Sequence, residues 1–109
     1  MGAPGKEKFT KLITQFQGKN GIRLIQMRDK PRREILTGDK DGVVTVWDLK
    51  TQSPIYVLKA HTDVITQMKW IESKQLLVTC AKDKSIKVWK FPAVWIDESQ
   101  IEDAKGAEV

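Results

Sequence analysis

The chain offers little for bond-making chemistry, and what it has is concentrated in a few places. Cys80 is the only cysteine and His61 the only histidine among 109 residues. One cysteine excludes an internal disulfide and any multi-cysteine zinc site, and one histidine excludes most histidine-based metal chemistry. With no phosphate loop, metal cluster or credible nucleophile beside them, no catalytic residue, cofactor or metal is expected. Cys80 follows Thr79 in a β-branched, apolar run, where a buried and inert thiol is the expectation. The binding chemistry lies elsewhere, in Lys30-Pro31-Arg32-Arg33 with Arg23 and Arg28 nearby. Guanidinium groups grip carboxylates and phosphates through paired N–H donors. Arg23, Arg28, Lys30, Arg32 and Arg33 are therefore the candidate anion or partner site, against the plainer reading of a solvated basic rim.

Charge divides the chain in the same sense. The net charge is +5, yet residues 91–109 set Lys105 against Asp97, Glu98, Glu102, Asp103 and Glu108. A basic body can steer acidic proteins, nucleic acid or anionic lipid toward itself, while lysines on strand edges also resist aggregation. Apolar and charged fractions of 40% and 30% are those of an ordinary globular protein. No stretch approaches the apolar length of a membrane helix, and MGAPGKEKF lacks the core of a secretory signal. A reducing, cytoplasmic location is the default expectation, with nuclear and peripheral endosomal locations left open.

The elements that must position these groups are strands. KLITQF at residues 11–16 comes first, followed by runs from Ile22 to Met27 and from Glu34 to Gly38. Val43 to Leu49, Pro54 to Ala60, Val64 to Trp70, Gln75 to Ala81 and Ser85 to Phe91 complete the series. Alternation such as Val44-Thr45-Val46 and Ile86-Lys87-Val88 has the period of a strand, and β-branched residues dominate. Turn formers separate the runs at Lys40-Asp41-Gly42, Thr51 to Pro54 and Lys82-Asp83-Lys84. The chain also repeats itself. Thr37 superimposes on Thr79, Asp41 on Asp83 and Trp47 on Trp89, an offset of 42 residues. An all-strand period of that length is the length of one four-stranded propeller blade.

The residues now carry a family resemblance. The segment AHTDVITQMKWIESKQLLVTCAKDKSIKVWK resembles a WD repeat, with Ala60-His61 for Gly-His and Trp89-Lys90 for Trp-Asp. The first copy keeps Trp47-Asp48 and the turn Gly38-Asp39-Lys40-Asp41-Gly42, but has Gly18-Lys19 for Gly-His. The resemblance implies an all-β fold of antiparallel four-stranded blades, an incomplete β-propeller of about two blades. It divides the chain into an extension (1–9), two repeats (about 10–53 and 54–96) and an acidic tail (97–109). Met27 and Trp70, which end the two innermost strands, are expected to pack against a neighbouring blade. Phe91 and Trp95 fall where a fourth strand of the second blade would lie.

The resemblance further implies a structural hydrogen-bond chain in each repeat. In the second copy Trp89 would donate to Thr79, Thr79 to His61, and His61 to Asp83, so that every buried polar atom has a partner. In the first copy Thr37, Asp41 and Trp47 remain, but Lys19 cannot accept a bond and cannot relay. Such a chain has the residue types of a hydrolytic triad. A hydrolase, however, needs its hydroxyl exposed beside an oxyanion hole, whereas Thr79 lies in mid-strand.

WD-repeat proteins serve as scaffolds on which other proteins assemble, and no cofactor is required. A non-catalytic protein-interaction scaffold is therefore the expected function, the chain being a fragment or C-terminal part of a propeller. Binding of anionic lipid (phosphoinositide) or RNA through the basic rim around Lys30 to Arg33 is the alternative. Expected partners are proteins, among them the rest of a propeller or further copies of the chain itself. Two blades leave a bare flank on each side, where Ile22, Ile25, Leu36, Val44, Ile65 and Val78 are expected to show in part. The strand at Lys11 to Phe16 would be an unpaired edge.

Overall fold

The computed structural model describes residues 10–95; the predicted extension at 1–9 and the acidic tail at 97–109 lie outside the described residues. Seven strands form in chain order: β1 (Ile22–Arg28), β2 (Glu34–Asp39), β3 (Val43–Asp48), β4 (Ser53–Lys59), β5 (Ile65–Ile71), β6 (Leu76–Ala81) and β7 (Ile86–Lys90). They build two antiparallel sheets, one of order β1-β2-β3-β4 and one of order β5-β6-β7. Two such sheets stacked without closure are an incomplete propeller, as the period implies.

Local chemistry explains the corners. Gly42 has a φ of 84°, in the left-handed region where only glycine is unstrained. A Cβ there would also collide with the His61 carbonyl. The Gly42 carbonyl accepts the His61 amide at 3.0 Å, which ties the β2–β3 turn to the β4–β5 connection. Lys84 holds the equivalent place in the β6–β7 turn and takes a φ of 72° without glycine's freedom. Gly38 is needed for space: a Cβ on it would stand 2.6 Å from the Met68 sulfur.

The core lies between the sheets. Leu36, Val44 and Val46 of the first sheet meet Ile65, Met68, Trp70 and Leu77 of the second, with Phe91 closing one end. Burying a side chain of this size is worth roughly 1.5–3 kcal/mol, so these contacts dominate the stability of a small chain. Two expectations need correction here. Leu36, Val44 and Ile65 are fully buried, because each sheet covers the other. Met27, by contrast, is 48% exposed although its counterpart Trp70 is buried. Trp70 has the first sheet to pack on, and Met27 faces away from both sheets.

Residues 11–16 do not form a strand. A strand needs an edge to pair with, and the β4 edge of the first sheet takes no further strand. Phe16 rests instead on Trp47, ring centroids 5.2 Å apart, while Leu12 and Ile13 stay exposed. Nor do Phe91 to Trp95 add a fourth strand to the second sheet. They turn back to the first sheet, where Trp95 stacks on Tyr56 of β4 at 4.5 Å.

Candidate functional site

Three groupings of polar side chains occupy this frame, and their chemistry differs. The first joins β6, β7 and the β4–β5 connection. The Trp89 indole N–H donates to Thr79 Oγ1 at 3.1 Å. Thr79 Oγ1 lies 2.7 Å from His61 Nε2, and His61 Nδ1 lies 2.9 Å from Asp83 Oδ2. The tautomer with the proton on Nδ1 satisfies all three, since Thr79 can then pass its own proton to Nε2. Ser85 is a member that residue-type reasoning missed: its Oγ lies 3.0 Å from His61 Nδ1 and donates to Asp83 Oδ1 at 2.6 Å. The only signal for it was a serine two places after a turn aspartate, a common side-chain-capped turn. These bonds, that of the Ser85 hydroxyl foremost, hold the Asp83 carboxyl well below the usual carboxylate range. Thr79 is fully buried and its oxygen is engaged on both sides, so the grouping exposes no nucleophile.

The first copy is built differently. Trp47 Nε1 donates to Thr37 Oγ1 at 2.9 Å, but the hydroxyl then meets only the Thr45 carbonyl at a long 3.5 Å. Lys19 is exposed. Asp41 is exposed as well and takes no part, contrary to the expectation drawn from its match to Asp83. Asp39 does the work of the turn, its Oδ1 accepting the amides of Asp41 at 2.8 Å and Val43 at 3.0 Å.

The second grouping overturns one assignment. Arg28 is not part of the basic rim, because its guanidinium is fully buried between the sheets. Its Nη1 lies 2.8 Å from Glu34 Oε1, its Nε donates to Gln75 Oε1 at 2.9 Å and to the Lys30 carbonyl at 3.1 Å, and its Nη2 donates to the Pro92 carbonyl. The cation also lies 5.3 Å from the Trp70 ring centre and 5.4 Å from that of Phe91. Glu34 spends its other oxygen on the Trp95 indole at 3.1 Å. Beside it Glu72 accepts the Asp29 and Lys30 amides, both at 3.0 Å, and the Trp70 indole at 2.6 Å. Those bonds, the Asp29 amide first, lower the Glu72 pKa from its ordinary value. Arg28, held by Glu34, and Glu72 therefore bind the β1–β2 and β5–β6 turns into one inter-sheet clamp. Among the described residues no buried side-chain nitrogen or oxygen lacks a partner.

The third grouping is open to solvent. Arg23, Lys30, Arg32 and Arg33 are all exposed, but they do not converge on one point. Arg32 and Arg33 line a cleft of about 560 Å³ with Asp48, Leu49, Lys50 and Thr51. Asp48 is mostly engaged there, capping the Lys50 and Thr51 amides at 2.8 and 3.2 Å with Arg32 3.9 Å away. The cleft is left with three cations and little free negative charge. Arg23 and Lys30 stand outside it. Cys80 is a free thiol on the outer face of the second sheet, half-buried where a buried one was expected.

Comparison with known proteins agrees with this architecture. Residues 52–90 match the family model described as WD domain, G-beta repeat. The chain is 40% identical over 57 residues to the WD repeat-containing protein 55 homolog of Drosophila persimilis, covering 52% of this chain and 11% of that protein. It is 31% identical over 72 residues to pre-mRNA-processing factor 19 of Mus musculus, covering 66% of this chain and 14% of that protein. The aligned part is thus a small fraction of these relatives' length. In fold it is similar to the β-propeller domain of Cps50 (Swd1) from Myceliophteria thermophila, with a TM-score of 0.61 and 23% identity over 71% of this chain and 24% of that one. A computationally designed protein, Ika8, superimposes with a TM-score of 0.55 at 24% identity, over 64% of this chain and 20% of that one. With its turns, tryptophans and sheets in repeat register, the chain belongs to the WD-repeat family and carries about two of its repeats.

Proposed function

We propose that the chain is a non-catalytic scaffold that binds an acidic segment of a partner protein in the cleft between Arg32, Arg33 and Lys50. The observation that carries this reading is the cleft itself: three exposed cations converge over a carboxylate that backbone amides already occupy. WD-repeat propellers mediate protein–protein contacts as a rule, and the buried relay around His61 serves packing. Arginine pairs suit carboxylates through their fixed donor geometry, and the leucine and threonine of the cleft wall supply apolar contact. A reducing, cytoplasmic-side location fits the single free thiol.

Charge reversal tests the reading. Binding of a fluorescent acidic peptide is measured at low and high salt for the natural chain and for Arg32→Glu with Arg33→Glu. Binding that weakens with salt and is lost in the variant supports the reading. Equal binding in the two chains, or none in either, reduces the cleft to a solubility device.

A further inference from the structure

The repeat supplies an internal control for what the bare faces of this molecule should contact. On the second sheet Ile65, Met68 and Trp70 are buried because the first sheet covers them. Their counterparts on the first sheet, Ile22, Ile25 and Met27, are 43%, 59% and 48% exposed. The opposite faces show the same pairing. Val44 and Val46 of the first sheet are fully buried by the second, while their counterparts Ile86 and Val88 are 73% and 60% exposed. One end of the molecule thus shows the face that the second sheet uses, and the other end shows the face that the first sheet uses.

We propose that these two faces dock on each other between copies of the chain, head to tail, with residues 11–17 of one copy added as the fourth strand of its neighbour's second sheet. The proposal rests on the fold and is independent of the acidic-ligand reading. Its main support is that the chain already contains the contact once, between its own sheets. The reach of the paired side chains is compatible with it. Inside the chain Met68 lies over Gly38, whose Cβ would stand 2.6 Å from the sulfur. At the matching contact between copies Ile25, of about the same volume as Met68 but shorter in reach, meets Cys80 in the place of Gly38.

The strand donation follows from the same offset. β4 pairs with β3 in the register Val44 with Leu58, Thr45 with Val57 and Val46 with Tyr56. Shifted by one repeat, this places Phe16 opposite Ile86, Gln15 opposite Lys87 and Thr14 opposite Val88. The β7 edge bears no partner strand among the described residues, and residues 11–17 belong to no sheet. Residues 18–21 then lead into β1 as residues 60–64 lead from β4 into β5. In place of β4's core-facing Ile55 and Leu58 the donated strand brings Ile13 and Phe16. Donation requires Phe16 to leave the buried Trp47, whose ring it helps to cover in the single chain. Such heterologous contacts propagate or close, and closed propellers of about 4–8 sheets set a ring of about two to four copies.

The test is a complementation pair read by size-exclusion chromatography with light scattering over a wide concentration range. Ile25→Glu blocks one face and Ile86→Glu the other, and both positions are exposed in the single chain, so circular dichroism should show each variant folded. The natural chain is expected to assemble, each variant alone to be monomeric, and an equal mixture of the two to form a one-to-one dimer that grows no further. A second readout needs no disruptive change: Ile25→Cys should cross-link through a short bismaleimide to Cys80 of another copy, and the link should vanish with Cys80→Ser. Thr14→Cys and Val88→Cys, in a Cys80→Ser chain, should likewise link between copies. A natural chain that stays monomeric overturns the proposal and leaves the faces to propeller strands other than those of a second copy. Assembly that survives either variant alone overturns it too, because the contact would then be isologous or elsewhere. A mixed dimer without the Thr14–Val88 link overturns the strand donation.

Discussion

Arg28 and Glu34 form an ion pair 2.8 Å apart that is closed off from solvent on both sides, at the one place where both turns and the chain's return segment meet. A buried pair of this kind adds little over an apolar pair of the same shape, but breaking it strands a charge. Arg28→Ala is expected to destabilise the chain by about 3–5 kcal/mol, since Glu34 would remain in the core unpaired. Arg28→Lys should recover only part of this, because one ammonium cannot reach Glu34, Gln75, Lys30 and Pro92 together. Urea unfolding of both variants, with the Glu34→Gln partner to complete a double-mutant cycle, gives the coupling between the two residues.

His61 is the joint of the relay in the second sheet. His61→Ala removes the shared partner of Thr79 and Asp83, and a loss of about 1–3 kcal/mol is expected. Lys19→His, which would seem to restore the relay in the first sheet, is expected to change stability by less than about 0.5 kcal/mol. Asp41 faces solvent there and Asp39 is committed to backbone amides, so the new imidazole would find no carboxylate. Thermal melts of the two variants side by side check both statements.

Asp83 gives the fold a specific acid sensitivity. Its carboxyl is held below the usual range, first by the Ser85 hydroxyl and with help from His61 and the Ser85 and Thr62 amides. A lowered folded-state pKa stabilises the native chain at pH values above the unfolded aspartate value of ~3.9. That contribution is lost as pH falls toward and through the folded-state value. The gap in melting temperature between the natural chain and Asp83→Asn should therefore be constant above about pH 5 and shrink below it. The Glu72 pKa is lowered as well, but Glu72 is present in both chains, so its contribution cancels in the difference.

Lys84 holds a φ of 72° in a turn whose counterpart has Gly42. Lys84→Gly relieves a left-handed residue but loosens the unfolded chain, and a net gain of up to about 1 kcal/mol is expected. An unchanged or lower unfolding midpoint would show that the Lys84 backbone is not strained.

Much of this molecule was legible in its residues, and the gaps have physical causes. Strand period, turn formers and an offset of 42 specified the sheets, because each is a local signal that a buried face must satisfy. Arg28 was misread as a rim residue by proximity. It shares a strand face with Leu24 and Gln26, which face the second sheet, and parity along the strand rather than nearness in sequence decides such a case. Asp41 was misread because an alignment fixes which positions correspond, not which of two carboxylates in one turn caps the amides. Met27 and residues 11–16 could not be settled locally, since burial and pairing depend on a neighbour that the residues themselves do not name.

The matched repeat, residues 52–90, begins on β4 in one sheet and finishes on β7 in the next. Inheritance and packing are thus out of phase by one strand. Any gain or loss of a whole repeat exchanges an outer strand of one sheet together with the inner strands of its neighbour, and never frees a sheet by itself. Each sheet is stitched to the following one by covalent chain as well as by side chains. A cut within Ala60 to Val64 should accordingly weaken the molecule even where the hydrogen bonds of that segment survive, because it turns a seam of one polymer into a contact between two.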